Sequence, residues 1–511
     1  MADDFGIPEY FADKNVFVTG ATGFMGKVLI EKILRCCPNV NKIYILLRPK
    51  RDLNLQERLD AMYKIKLFDK LNELYPDAMK SKIIPIAGDV VQLGLGISAE
   101  DRELLKRNVN IIYHAAASVR FDQPLNEAII MNTRGTLEAC KLALEMKNLE
   151  LFMHVSTAYC HTSLTRKVIE EKIYPPYADW RKSIEIAENM DPHTLQILSN
   201  LYMSGFPNTY TFTKSLAENV VYDLLNNVVP NIILRPSIVT SAEKDPLPGW
   251  IDNFNGPVGI FLACGTGIVR INYVTDAVAD YVSVDAAING ILMGTWYKTK
   301  NEPEEINNTT VYNCGSNGVV SVSLHEQSTI AHGLVWDNPL SNSLWYPSKS
   351  ETSNITIYYI LVMLLHFLPA IVLDGLLKLF NKKPMILKIH RKIYSAVMAL
   401  KYFIENEWTI VNDKLLELET VILPKDKEMF GYNVENFNIH LYFENAFNGA
   451  KQYLLKEKAE DLPAAKKKIQ ILYFMDVFLK YASYGLLIYI IYKCNVLSCT
   501  SKWISDYFEA L

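Results

Sequence analysis

The chain has no Cys-x-x-Cys pair and no paired histidines at zinc-ligand spacing, although it carries eight cysteines among 511 residues. That excludes a zinc finger or a dithiol redox protein. It leaves the thiols as small apolar residues of a reducing compartment, with no metal expected. Charge of one sign is also lacking: 52 basic and 56 acidic residues give a net charge of −4, which argues against a nucleic-acid partner. The first residues are acidic with no apolar run behind them, so no cleaved signal peptide is expected, and the last four are not a peroxisomal address. The sequons at Asn307, Asn308 and Asn354 carry no weight if that region stays cytosolic. No internal repeat is evident. Half of the residues are hydrophobic, enough for a large core, and the length predicts two or three domains.

The most informative stretch is Thr19-Gly-Ala-Thr-Gly-Phe-Met-Gly26. It follows the apolar run Asn15–Thr19 and leads into a helical pattern with Val28, Leu29, Ile30, Ile33 and Leu34. Gly20, Gly23 and Gly26 have the spacing G-x-x-G-x-x-G, close to the dinucleotide fingerprint. Small residues permit a tight strand-to-helix turn, let a pyrophosphate approach the backbone, and allow close helix–sheet packing. An ordinary glycine turn is the alternative, but the strand before and the helix after it favour a nucleotide. Thr19, Gly20, Thr22, Gly23, Phe24, Met25 and Gly26 are therefore candidate cofactor contacts.

The second strand, Lys42–Leu47, ends at Arg48-Pro-Lys50-Arg51, where an NAD site would carry an acid for the ribose hydroxyls. A basic cluster at Arg48, Lys50 and Arg51 suits a 2′-phosphate and favours NADPH; a solvated basic loop is the competing reading. Further along, the loop with Asp89 and Val90, the small residues Ala115 and Ala116 after a strand, Asn132 on a helix, and Pro236 at another strand end complete the candidate cofactor set. His114 is read as structural. Residues 160–208 have weak periodicity and read as a substrate-side insertion. Strands alternating with helices predict an α/β fold with a doubly wound parallel sheet.

Tyr210-Thr-Phe-Thr-Lys214 opens an amphipathic helix and puts a phenol and an amine on one face, one turn apart. A nearby ammonium is expected to lower the tyrosine pKa, so that it can pass a proton. The pattern recurs at Tyr10/Lys14 and Tyr489/Lys493, so alone it says little. Only the middle pair follows the glycine turn, the basic loop and the strand end Val155-Ser156-Thr157 in that order.

These motifs resemble the extended short-chain dehydrogenase/reductase family and, within it, fatty acyl-CoA reductases. The matching stretches are Val18–Gly26, Leu46–Lys50, His114–Phe121, His154–Tyr159, Tyr210–Lys214 and Gly249-Trp-Ile-Asp-Asn-Phe-Asn-Gly256. The resemblance spans nearly the whole chain. It implies that NADPH reduces a long-chain acyl-CoA to a primary alcohol, with Tyr210 as proton donor and Lys214 holding the nicotinamide ribose. Either Thr157 or Ser156 would give a second hydrogen bond to the oxyanion. It also implies a Rossmann-like reductase domain, placed at 11–345, and a helical C-terminal domain at 346–465; the apolar stretch that follows is expected to be a membrane anchor at 466–495. A homodimer and a membrane lipid surface are expected partners, with the endoplasmic reticulum or the peroxisome as destination.

After residue 345 the α/β pattern stops. Ile355 to Leu373 is long enough for a marginal span, yet Lys378, Lys382, Lys383, Lys388, Arg391 and Lys392 follow it. The positive-inside rule puts that cluster in the cytosol together with the reductase, so a re-entrant or surface-lying helix, or a pocket wall, fits better. Ile469 to Tyr492 contains Asp476 and Lys480, costly in lipid but spaced to pair. Trp408, Tyr432, Phe437, Phe443 and Phe447 read as a small aromatic core. Two rivals remain: a sugar-nucleotide epimerase or steroid-type dehydrogenase of the same fold, which would need neither Gly249–Gly256 nor the apolar C-terminal third, and a catalytically silent, nucleotide-sensing membrane scaffold.

Overall fold

The computed structural model describes residues 5–49, 54–300, 307–316, 321–432 and 437–493. They divide into two compact units that interleave along the chain. One comprises residues 1–258, 274–327 and 392–454; the other comprises 259–273, 328–391 and the chain from 455 on.

The larger unit is built on a seven-stranded sheet. Its strands are β1 (Asn15–Thr19), β2 (Lys42–Leu47), β3 (Ile83–Ala87), β4 (Ile111–His114), β5 (Leu151–Val155), β6 (Asn231–Pro236) and β7 (Thr309–Cys314). Their order is β3-β2-β1-β4-β5-β6-β7, and every neighbouring pair is parallel. This is the doubly wound α/β fold expected from the sequence. The strand order reverses between β1 and β4, which opens a crevice at the C-terminal edge of the sheet.

Side chains alternate along each strand, and both faces are buried, as a parallel sheet requires. Val16, Val18, Ile43, Ile45, Ile111 and Tyr113 join one core with helices α1 (Phe24–Cys36) and α4 (Val284–Lys298). Phe17, Tyr44, Ile112 and Phe152 join the other with α2 (Gly135–Glu145) and α3 (Thr209–Leu225). The first core also takes in Leu415, Leu418, Phe430 and Tyr432 from the C-terminal part of the chain. That part adds a two-residue strand, Thr409–Ile410, parallel to Val168–Ile169.

Two features go beyond what the sequence pattern shows. The stretch 160–208 is largely ordered into helices Trp180–Asn189 and Pro192–Tyr202, each started by an aspartate cap, Asp179 and Asp191. The edge strand β7, a short run of β-branched and aromatic residues, was not anticipated.

In the smaller unit, helix α5 (Ile355–Leu379) has a mean hydropathy of 2.3 over its most apolar window, 22% of which is buried. Among the described residues it is the one helix long and apolar enough to cross a membrane. Two of its polar residues are held within the unit. The His366 ring accepts the Arg270 N–H at 2.8 Å, and Asp374 caps helix α6 (Ile386–Ile404) through the N–H groups of Met385, Ile386 and Leu387. The anchor expected at 466–495 falls on a 32-residue helix, Leu462–Lys493; residues beyond Lys493 lie outside the described ones. In that helix Asp476 pairs with Lys480 at 2.7 Å, as the spacing predicted, and also with Arg270 at 2.8 Å.

Candidate active site

The glycine turn joins β1 to α1 at the C-terminal edge of the sheet. Gly20 has φ +77°, and a Cβ there would lie 2.7 Å from the backbone of Ala115 and Ala116, at the end of β4. A Cβ on Gly26 would lie 2.3 Å from the Gly20 carbonyl oxygen. The turn therefore closes only with hydrogen at these positions. Thr19 fixes it from below: its hydroxyl bonds the His114 ring at 2.8 Å and accepts the Ala116 N–H. Burial lowers the His114 pKa to about 3, so the ring stays neutral, consistent with the structural role read from the sequence.

Gly23 caps α1 with no side chain bonded to its first turn, and Thr22 and Gly23 are exposed. Phe24 and Met25 begin the helix, so their backbone faces the crevice as an anion site would require. A nicotinamide dinucleotide suits this turn: it is closed too tightly for side chains at Gly20 and Gly26, and no side chain caps the first turn of α1.

At the end of β2, the Arg48 guanidinium grips Asp89 through Nε–Oδ2 at 2.7 Å and Nη2–Oδ1 at 3.1 Å, with Arg48 exposed. Lys50 and Arg51 lie outside the described residues. Val90 is buried. The Asn132 amide is spent on its neighbours: it donates to Ser118 O and Thr213 Oγ1 and accepts the Ser118 N–H, which braces the β4 tail against α3.

Tyr210 and Lys214 lie on the first turns of α3. The Lys214 ammonium, 2% exposed, donates to the Val155 carbonyl at 2.6 Å. Burial lowers its pKa to about 8, and Cys160 and Glu218 act in the opposite direction. The half-buried Tyr210 lies beside Thr157, whose hydroxyl acts to lower its pKa, and stacks on Phe121, ring centroids 6.0 Å apart. Its pKa does not fall as the sequence suggested. Burial raises it, because the lysine is directed at a backbone carbonyl and not at the phenol. The phenol is thus set as a proton donor, not a standing phenolate. Thr157 also reaches the carbonyl of Pro236 at 3.4 Å. Ser156 turns the other way and donates to Glu218 at 2.5 Å.

Beyond Phe121, the C-terminal part of the unit contributes an aromatic wall. Phe403 packs on Phe121 at 5.7 Å and on Tyr159 at 5.3 Å, with Tyr402 and Trp408 behind. Sequence reading missed Phe121, Phe403, Glu218 and Arg235. Glu218 could have been found, since it repeats the four-residue step from Tyr210 to Lys214.

The stretch Gly249–Gly256 rests on the glycine turn. Trp250 stacks on Phe24 at 5.4 Å, and Asp252 pairs with Lys27. On its other side Gly249, at φ +73°, meets Gly449 of helix α7 (Ile439–Gly449); a Cβ on Gly449 would lie 1.8 Å from the Gly249 carbonyl oxygen.

Fold and site define an oxidoreductase with a nicotinamide-dinucleotide cofactor. The chain matches an NAD-binding domain described as male sterility protein over residues 18–291, and a second domain, Sterile, with the same description over residues 365–457. It is 40% identical over 470 residues to fatty acyl-CoA reductase 1 of Xenopus laevis, covering 91% of this chain and 89% of that protein. It is 41% identical to fatty acyl-CoA reductase 1 of Homo sapiens over the same shares. Among solved structures, the terminal R domain from the myxalamid PKS-NRPS biosynthetic pathway shares the fold, with TM-score 0.58 and 19% identity over 88% of this chain and 93% of that one. The chain belongs to the fatty acyl-CoA reductase family.

Proposed function

We propose that the protein reduces long-chain acyl-CoA thioesters to primary alcohols with NADPH, releasing CoA and retaining the aldehyde between two reductions. The observation that carries this is a protonated phenol, a threonine hydroxyl and a buried lysine at the sheet edge beside the dinucleotide turn, backed by an aromatic wall. When bound, the nicotinamide supplies hydride. Tyr210 donates its proton to the oxygen as charge develops there, and Thr157 holds the same oxygen with a second hydrogen bond. Of the two hydroxyls left open by the sequence, Thr157 is favoured, since Ser156 is committed to Glu218. Lys214, anchored on Val155 O, would position the nicotinamide ribose. The wall of Phe121, Phe403 and Tyr159 excludes water from a reactive aldehyde. Each turnover takes two hydrides and two protons and yields alcohol and CoA thiol.

Incubating the purified protein with long-chain acyl-CoAs and NADPH should consume two cofactors per CoA released. A ratio of one, with free aldehyde, would reject retention; no oxidation at all would reject the substrate class.

NADPH is favoured over NADH because the exposed Arg48 stands at the end of β2. Arg48→Ala should raise the KM for NADPH about ten-fold, roughly the worth of one charged hydrogen bond, and leave that for NADH unchanged. Equal effects on both cofactors would show that Arg48 only braces Asp89. Membrane association is proposed through the exposed apolar faces of α5 and of the helix Leu462–Lys493, with the reductase on the cytosolic side. On α5, Ile360, Met363, Leu364 and Ile371 are each more than half exposed, and Lys382 and Lys383 follow it in sequence.

A further inference from the structure

Behind Ser156 lies a buried polar cluster that the proposed reaction does not use. The Glu218 carboxylate accepts five hydrogen bonds: from Ser156 Oγ at 2.5 Å, Cys160 Sγ at 3.2 Å, His161 Nε2 at 2.7 Å, and Arg235 Nε and Nη2 at 2.9 and 2.7 Å. Cys160, His161 and Glu218 converge closely enough to hold a cation. The Arg235 guanidinium already occupies both carboxylate oxygens, so the cluster is a closed ion pair and not a metal site.

The cluster's position gives it a second meaning. Tyr210, Lys214 and Glu218 follow one another at four-residue steps along α3, on one face. Each meets one of three consecutive residues at the end of β5: Lys214 donates to the Val155 carbonyl, Glu218 accepts from the Ser156 hydroxyl, and Tyr210 lies beside Thr157. Helix and strand end meet at three rungs, and only the Glu218–Ser156 rung is removed from the reacting atoms.

We infer that Glu218 is a positioning residue for the reduction, which sets the reach of Thr157 and Tyr210 by fixing Ser156 and maintains the charge on Lys214 one turn away. This rests on the reading of Tyr210 and Lys214 given above. Ser156 and Thr157 are adjacent, so a strand end released at Ser156 lets the Thr157 hydroxyl drift from the phenol. A misplacement on the order of an ångström is enough to cost turnover. Four groups besides Tyr210 face Lys214: Glu218 on its own helix, Cys160 after β5, and His114 and His154 on β4 and β5. Both histidines are buried and held neutral, and burial keeps the Cys160 thiol protonated, so Glu218 is the anion among them. Without it the buried ammonium gives up its proton at lower pH.

The test compares kcat against pH for the full-length wild type, Glu218→Gln, Ser156→Ala, Tyr210→Phe and Lys214→Arg, at saturating acyl-CoA and NADPH. Wild-type activity should fall as pH rises through about 8, as Lys214 loses its charge. In Lys214→Arg, which stays charged, that decline should disappear. Glu218→Gln should lower kcat roughly ten-fold or more, with the KM for acyl-CoA within about two-fold, and should move the decline about one pH unit lower. Ser156→Ala keeps every charge of the cluster and answers the question if Glu218→Gln does not fold: its kcat should fall while the alkaline decline stays in place. Wild-type kcat in Ser156→Ala, or an unmoved decline in a folded Glu218→Gln, would overturn the assignment while Tyr210→Phe remained inactive. A fully active Tyr210→Phe would instead remove the reading beneath it.

Discussion

Replacing Tyr210 with phenylalanine should lower kcat by about 10²- to 10⁴-fold, the usual worth of a positioned general acid, and leave dinucleotide affinity unchanged. The substitution deletes one oxygen. The ring keeps its stack on Phe121 and its place at the start of α3, whose Asn208 cap bonds the Thr211 N–H at 2.9 Å. Thr157 keeps its bond to Pro236 O, so it is not left with an unsatisfied hydroxyl. The fold should therefore hold. Because the phenol's pKa is raised, the residue donates a proton across the whole working range, and its loss should cost the same factor at pH 6 and pH 8. Turnover close to wild type, measured as acyl-CoA-dependent NADPH oxidation, would remove Tyr210 from the chemistry. A loss confined to KM would make it a substrate contact and no more.

Gly26→Ala should weaken dinucleotide binding by about one to two orders of magnitude and also destabilise the larger unit. The added Cβ would sit 2.3 Å from Gly20 O and 2.8 Å from Ala21 Cα, both backbone atoms that no side-chain rotation can move aside. The turn must open, and the first N–H groups of α1 move off the pyrophosphate. Losing one charged hydrogen bond accounts for the change in affinity, and overpacking of this kind costs about 1–3 kcal/mol of stability. Gly333→Ala is the control. A Cβ there meets nothing within 4 Å, and its helix, Leu324–Asp337, should be unaffected or slightly stabilised. Cofactor titration followed by fluorescence, together with thermal unfolding of both variants, separates the two effects. Normal affinity in Gly26→Ala would mean that the pyrophosphate is held elsewhere.

Much of this could be read in the chain before folding. The strands Asn15–Thr19 and Lys42–Leu47 are apolar runs bounded by glycine, proline or charge, and they stand where the pattern put them. Tyr210 and Lys214 reach the sheet edge because helical spacing is a local property. What the phenol meets there is not local. The lysine's nearest acceptor is a carbonyl of β5, and which strand lies beneath α3 depends on the order of the whole sheet, so the direction of the tyrosine shift was misjudged. Arg235 was invisible for the same reason: a charged residue at a strand end reads as solvated until its neighbours are known, yet it is fully buried against Glu218. Six residues of β7 carry too little periodicity to stand out. The interleaving of the two units leaves no mark on composition.

The contact between Gly249 and Gly449 has a bearing on how the protein is made. The stretch that lies over the dinucleotide turn is seated against backbone that leaves the ribosome some two hundred residues later. Ile7, near the start of the chain, gives its N–H to Asp426, and Phe430 and Tyr432 complete the core around α1. During synthesis the nascent reductase must wait, with an apolar flank uncovered, until nearly the whole polypeptide has emerged. A chain that stopped after β7 would lack Asp426, Phe430 and Tyr432, and the apolar flank around α1 would stay open to aggregation.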